Sequence, residues 1–230
     1  MDKIYSIELE GDELHLKLGG GIPKNSLVLI EGPAGLGKSI LAQRFVYGAI
    51  KNNVSISYVS SELSVQSFLS QMDSLKYDIR KEFLAGQLKF ITTFPLLGRV
   101  NFEPDMIKKI FLSKKLLESE VIVIDALNDF VLKNESNLSE TFEFISAFKK
   151  LTSSGKTVIF CVEPEIINRE ILKYLQNTVE VHLVMFEREQ YGNILNILQV
   201  KRFLGAINDV ERELPFKVRA GIGIVVDLSG

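Results

Sequence analysis

Short, unbroken apolar runs recur along this chain, separated by stretches in which apolar residues return at helical spacing. SLVLI (26–30), VSISYVS (54–60), LKFIT (88–92), VIVID (121–125) and TVIFCV (157–162) each have the length of a strand. VIVID, nearly all β-branched, suits a strand covered on both faces and is expected near the centre of the sheet, and TVIFCV is expected to be buried. Between them, Leu41, Phe45 and Ala49, then Phe68 and Met72, then the apolar residues of 138–154 follow a helical period. Ser64 is the expected N-cap of the second of these helices and Gly155 the stop of the third. Pro104 is expected to open a helix reaching about residue 119, and 166–176 reads as another. The first 22 residues are irregular, and LHLKLGGGIPKNS reads as a loop feeding the first core strand.

Strand and helix alternating in this way predict an α/β fold with a mostly parallel central sheet flanked by helices. The last part changes character. VEVHLVMFE and NILNILQVKRF are strands separated by REQYG, a hairpin signal, and FKV and GIGIVVD follow, so an antiparallel C-terminal edge is expected. Repeats, low-complexity tracts and dividing linkers are absent from the sequence, and one domain is expected over residues 1–230.

The stretch between the first strand and first helix carries the chemistry. GPAGLGKS, residues 32–39, fits G-x-x-x-x-G-K-[ST] without a gap and lies between strand and helix, the context a phosphate-binding loop requires. Gly32, Gly35 and Gly37, with Pro33, Ala34 and Leu36 between them, let successive backbone N–H groups turn inward toward phosphate oxygens, and the helix N-terminus adds its positive end. Lys38 is placed to reach the β- and γ-phosphates, and Ser39 to offer its hydroxyl to Mg²⁺. The second half of such a site is an acid at the tip of a central apolar strand, which Asp125 supplies, again toward the metal. Glu62, just past the next strand, emerges at the same carboxyl edge of a parallel sheet, where it can orient an attacking water. Catalytic roles therefore fall to Glu62 and Asp125, and ATP with Mg²⁺ are the expected cofactors.

Composition narrows the classes. Hydrophobic residues at 46% and charged residues at 24% are ordinary for a globular chain, and no apolar run approaches the ~20 residues of a membrane helix. The charged start lacks the apolar core of a signal peptide, so a cytoplasmic location is expected. A net charge of −2 argues against nucleic acid as a partner. One cysteine, Cys161, is expected in the core, and with two histidines it makes no zinc set. His15 and His182 are expected at surface or satisfied polar positions. Lys201 and Arg202, on the late strand, are candidates for a positive group supplied to a neighbouring subunit's site, with Arg188 as the outsider. Alternation puts Lys201 and Arg202 on opposite faces. Glu163 sits where a γ-phosphate sensor would, but a carboxylate repels phosphate unless neutralised. Gly155-Lys156-Thr157 imitates the end of a phosphate loop, but it follows a helix and precedes a strand, the wrong order. Phe94, Leu96, Leu97, Val100 and Phe102 form an apolar loop, expected to tuck onto the domain's own core rather than to face a partner.

With these residues in place, the chain resembles the RecA/KaiC family of ATPases over roughly residues 14–228. The opening LGGGIPKNSLVLIEGPAGLGKS is similar to that family's, and SYVSSELSVQSFLSQMDSLKYDI (57–79) and FKVRAGIGIVVD (216–227) resemble the KaiC-like ATP-binding branch of the archaeal flagellum, or archaellum. The resemblance implies that 32–39 bind nucleotide, that Asp125 is the Walker B acid and that Glu62 holds the catalytic glutamate position. Leu63 stands where KaiC-type proteins carry a second glutamate, and their trans-acting K-x-R pattern is displaced to Lys201-Arg202-Phe203, which argues against fast hydrolysis. The resemblance further implies a ring-forming homo-oligomer, a hexamer being one size open to it. It would act as an ATP-bound regulator peripheral to the membrane, docked on the motor ATPase FlaI beneath the membrane protein FlaJ with other cytoplasmic archaellum components. The alternatives are a RecA- or RadA-like DNA-binding ATPase and a KaiC-type signalling ATPase or autokinase.

Overall fold

The apolar runs become strands whose alternate residues divide between two cores. In the computed structural model, which describes residues 3–10, 12–93, 113–131 and 138–226, the strands are β1 (Ile4–Ser6), β2 (Gly21–Pro23), β3 (Leu27–Glu31), β4 (Ile56–Ser60), β5 (Leu88–Thr92), β6 (Val121–Asp125) and β7 (Thr157–Val162). They are followed by β8 (Val181–Gln190), β9 (Asn193–Phe203), β10 (Glu213–Arg219) and β11 (Gly223–Val226). Val28 and Ile30, Val121 and Val123, and Ile159 and Cys161 point into the core under the helix Lys38–Lys51. Leu27 and Leu29, Ile122 and Ile124, and Val158, Phe160 and Val162 point into the other, beneath the helices Leu138–Ser153 and Arg169–Thr178. Burial on both faces explains why these runs are unbroken rather than alternating.

Nine strands form one sheet in the order β11-β10-β9-β8-β3-β7-β6-β4-β5. From β5 to β8 every pairing is parallel, and β8-β9-β10-β11 pair antiparallel. This is the KaiC/RecA-like arrangement expected, with β6 inside the parallel part. A parallel sheet sends the carboxyl ends of β3, β4, β6 and β7 to one edge, where the loops after them converge.

Several boundaries move for local reasons. The irregular start contains β1, and β2, inside the stretch expected as a loop, pairs with it antiparallel. The helix expected from residue 166 begins at Arg169, because the Asn168 side chain accepts the Glu170 N–H at 2.8 Å and caps it there. Ser64 caps the helix Val65–Ser74 as expected, accepting the Ser67 N–H at 3.1 Å. The β8–β9 hairpin is longer than REQYG implied. Its strands run to Gln190 and Asn193, leaving a two-residue turn, Tyr191 and Gly192, both with positive φ, as tight hairpin turns require. The short helices Leu14–Lys17, Arg80–Leu84 and Asn128–Val131 escaped the periodicity reading, the first of them inside the stretch expected as a loop. The apolar loop of Phe94, Leu96, Leu97, Val100 and Phe102 lies outside the described residues, as does the helix start at Pro104; within that expected helix, Lys114–Leu117 is helical. Among the described residues, no helix is long and apolar enough to cross a membrane.

Candidate nucleotide site

At the carboxyl edge of β3 the chain leaves the sheet through Gly32, whose N–H donates to the Val162 carbonyl at 3.2 Å. The loop then turns through Gly35 and Gly37, at φ +78° and +98°, values that side-chain-bearing residues rarely adopt. Gly37 stands directly before the helix Lys38–Lys51, so the loop delivers its backbone to a helix N-terminus. Lys38 is 8% exposed, and its Nζ donates to the Pro33 carbonyl at 2.7 Å. Among the described residues this lysine forms no salt bridge, so its charge remains uncompensated by a protein carboxylate at bonding distance.

Asp125, at the tip of β6, is 3% exposed. Its Oδ1 accepts from the Ser39 hydroxyl at 3.1 Å and its Oδ2 from the Tyr58 hydroxyl at 2.5 Å. Burial raises its pKa above the ordinary carboxylate value, while the bonds from Tyr58, Ser39 and Cys161 and the charge of Lys38 pull the other way. The peptide bond after it, Asp125–Ala126, is cis.

Glu62 is placed by its neighbours. The Ser60 hydroxyl oxygen accepts the N–H groups of Glu62 and Leu63 at 3.3 and 3.0 Å, making a tight turn off β4. Ser61 N–H donates to the Asp125 carbonyl at 2.9 Å, tying that turn to the tip of β6. Leu63, where the family's second glutamate would stand, packs against the core instead. The Glu62 carboxyl is raised by desolvation first, then by Asp125 and Asp129, with Lys38 opposing and Glu163 adding to the rise. Such a carboxylate is a better proton acceptor than an ordinary one.

Lys38, Ser39, Glu62, Asp125 and Glu163 line one cavity of about 250 Å³ with Ala34, Gly35, Gly37 and Ile40. The fold thus brings together the expected loop, the strand-tip acid and the catalytic-position glutamate. The hydroxyl and carboxylate at Ser39 and Asp125 are hard oxygen donors of the kind Mg²⁺ takes one or two of, filling its remaining positions with phosphate oxygens and water. Among the described residues no group of three or more His, Cys, Asp or Glu is placed to hold a metal ion by itself. The donor set therefore fits a magnesium–nucleotide: 32–39 and Lys38 for the phosphates, Ser39 and Asp125 for the ion.

Tyr58, Gln43, Gln71 and Asn128 escaped the sequence reading of the site. Tyr58 hides in an apolar strand, where a buried hydroxyl is itself the signal, since it needs a partner. Gln71 lines the cavity and its Oε1 accepts from Gln43 Nε2 at 2.6 Å. Asn128 donates to the Glu163 carbonyl and accepts the Glu163 N–H, both at 2.8 Å, fixing the end of β7 from across the sheet. Glu163, weighed above as a sensor, accordingly stands in the cavity wall.

Lys201 and Arg202 lie elsewhere. They pair with the first half of β8, and a register shift between His182 and Leu183 leaves Lys201 as the extra residue. Simple alternation therefore does not carry across that point, and the opposite-face expectation for these two does not apply there. Arg202 donates to the carbonyls of Gln176, Asn177 and Val179 at 3.0, 3.3 and 2.9 Å, closing the end of the helix Arg169–Thr178. Lys201 is exposed near Glu31 and Glu213. Arg188 forms a two-bond pair with Glu213. His182 is 9% exposed and bonds to Glu31 at 2.8 Å, a satisfied polar position, and Cys161 is in the core.

Comparison with known proteins agrees with this geometry. The family model described as "ATPase: KaiC" matches residues 1–227. The archaeal flagellar ATP-binding protein FlaH of Methanococcus voltae is 32% identical over 228 residues, covering 99% of this chain and 98% of its own. The crystal structure of the flagellar accessory protein FlaH from Methanocaldococcus jannaschii superposes with a TM-score of 0.90 at 29% identity, covering 98% of this chain and all of that one. A KaiC-like protein of Pyrococcus horikoshii, at 19% identity and a TM-score of 0.76 over 97% of this chain and 98% of its own, shares the fold.

Proposed function

Because the chain belongs to the KaiC family of ATPases, in its archaeal flagellar FlaH branch, we propose that it is a Mg-ATP-binding regulator of the archaellum motor. In this reading residues 1–230 form one ATP-binding unit in which occupancy controls assembly with the motor ATPase FlaI. The membrane protein FlaJ and other cytoplasmic components lie in the same complex, which would hold this protein at the cytoplasmic side of the membrane.

The observation that carries the reading is the meeting of Ser39 and Asp125 at 3.1 Å in a cavity that also holds Lys38. Ser39 comes from the loop helix and Asp125 from a strand tip two places across the sheet, and their shared task is a divalent ion on a triphosphate. Ser39 and Asp125 would hold a magnesium ion, which would neutralise phosphate charge, while Lys38 and the backbone N–H groups of 32–39 orient the chain of phosphates.

Glu62 at the same cavity supplies a proton acceptor for a water, which supports slow turnover. Leu63 at the neighbouring position and Arg202 committed to a helix end support a protein that acts mainly by being occupied. A ring of identical subunits would complete the site if Lys201 reaches a neighbour's phosphates. Bound ligand then favours the one shape that partners recognise, which is how occupancy becomes a signal.

The test is capture of the purified motor ATPase by this protein in the nucleotide-free, Mg-ADP and Mg-ATP states. Capture that follows Mg-ATP supports the proposal; equal capture in all three removes the regulatory part. Nucleotide titration on the same samples reports the binding part separately.

A further inference from the structure

We propose that Tyr58 is a positioning residue of the magnesium site: its hydroxyl fixes one oxygen of Asp125, so that the other is presented beside Ser39 to the ion. The inference rests on the nucleotide reading above and assigns a role to a residue outside the loop, the acid and the glutamate.

Tyr58 stands in the middle of β4, and Asp125 ends β6, its parallel neighbour. The register sets Ser60 against Asp125 and Tyr58 against Val123, so Tyr58 is the diagonal neighbour of Asp125 on the same face, a separation that an aromatic side chain spans. The hydroxyl donates to Oδ2 at 2.5 Å while Ser39 donates to Oδ1 at 3.1 Å. Each carboxylate oxygen thus has a hydroxyl donor of its own, and these two hydroxyls differ in kind. Ser39 belongs to the ligand-binding loop helix. Tyr58 is 0% exposed, and its ring lies against Phe68 and Phe90 at centroid distances of 5.1 and 5.8 Å. That packing leaves the phenol no room to leave its partner.

An aspartate's terminal torsion is broad and two-fold, so an unbonded carboxylate would present either oxygen over a range of angles. A donor locked on Oδ2 removes that freedom and leaves Oδ1 as the outward ligand. The same logic explains the residue type. A hydroxyl in an otherwise apolar strand costs desolvation unless it is bonded, and Asp125 supplies the bond. Behind it, Gln43, one helical turn past Ser39 and fully buried, donates to Gln71 in the cavity wall. Its own Oε1 is buried without a partner.

Hydrogen bonds that orient a ligating carboxylate are worth about 10- to 100-fold in metal affinity. The experiment is a titration of ATP binding against Mg²⁺, with an arm in EDTA, on wild type, Tyr58→Phe and Lys38→Ala. For Tyr58→Phe the Mg²⁺ needed for half-maximal enhancement of ATP binding is expected to rise about 10-fold or more, with affinity in EDTA unchanged. An unshifted Mg²⁺ requirement with EDTA binding intact overturns the role of Tyr58. Should Tyr58→Phe fail to fold, Phe68→Leu, which loosens the packing that holds the phenol in place, decides: a several-fold shift in the same direction with EDTA binding intact supports the proposal and no shift overturns it. Lys38→Ala separates the two readings, since it weakens binding in both arms if the loop holds nucleotide. If it changes neither arm, the nucleotide assignment itself fails.

Discussion

The Tyr77 hydroxyl accepts the backbone N–H of Ile224 at 3.2 Å, joining the segment after the helix Val65–Ser74 to the last strand of the sheet. The Gly221 N–H donates to the Ser74 carbonyl at 2.7 Å beside it. The two stretches that resemble the archaellum branch thus meet, at residues 74–77 of the first and 221–224 of the second, and the helix between Glu62 and Tyr77 places Gln71 in the cavity at the same time.

That contact depends on an absent side chain. Gly223 has φ +93°, and a Cβ there would overlap the Tyr77 phenol. Gly223→Ala should cost about 1 to 3 kcal/mol in urea denaturation, through overpacking and backbone strain together. Adding Tyr77→Phe should recover part of the loss, because the phenol oxygen is the first atom the new Cβ meets.

Lys38→Ala removes charge-assisted bonds worth roughly 1.5 to 3 kcal/mol each, so ATP affinity should fall tenfold or more by calorimetric titration. Glu62→Gln should leave that affinity nearly intact and abolish residual turnover, since it keeps the shape and removes the proton acceptor. Turnover surviving in Glu62→Gln would return Glu62 to the role of a loop residue.

Burial by itself would raise the Glu31 carboxyl, but bonds from His182 and Gln176, together with the charges of His182 and Lys201, bring it below its ordinary value. A carboxylate with a folded-state pKa below its unfolded one adds stability that is complete above pH about 4.5 and is lost as pH falls through the folded value. Glu31→Gln should therefore be less stable than wild type at pH 7, by about 1 to 3 kcal/mol for the lost charged bonds, and the gap should narrow as the pH falls below 4.5. Paired urea denaturation curves at pH 7 and in the acid range measure it; a gap that widens in acid contradicts the pairing.

Arg202 and Lys201 should separate by phenotype. Arg202→Ala removes the donor that closes three carbonyls at a helix end and should lower stability by about 1 to 3 kcal/mol while ATP affinity holds. Lys201→Ala should leave stability within about 0.5 kcal/mol, as an exposed charge does. If Lys201 serves a neighbour's site, its loss should instead reduce concentration-dependent turnover, read by activity across a dilution series.

What lies within a few residues of itself was legible in the sequence. The phosphate loop is eight consecutive positions, the Ser64 cap needs only the turn it starts, and each core strand is announced by its own run of apolar residues. Asp125 and Glu62 were legible because a parallel sheet sends every strand's carboxyl end to one edge whatever the strand order. The bond from Tyr58 to Asp125, the path from Gln43 to Gln71, the clamp of Asn128 on Glu163 and the diversion of Arg202 to a helix end were not. Each joins segments far apart in the chain, and each depends on register, on a bulge in β9 or on the packing of helices over the sheet. Those are fixed only when the whole sheet buries both its faces at once, so no local window of sequence contains them.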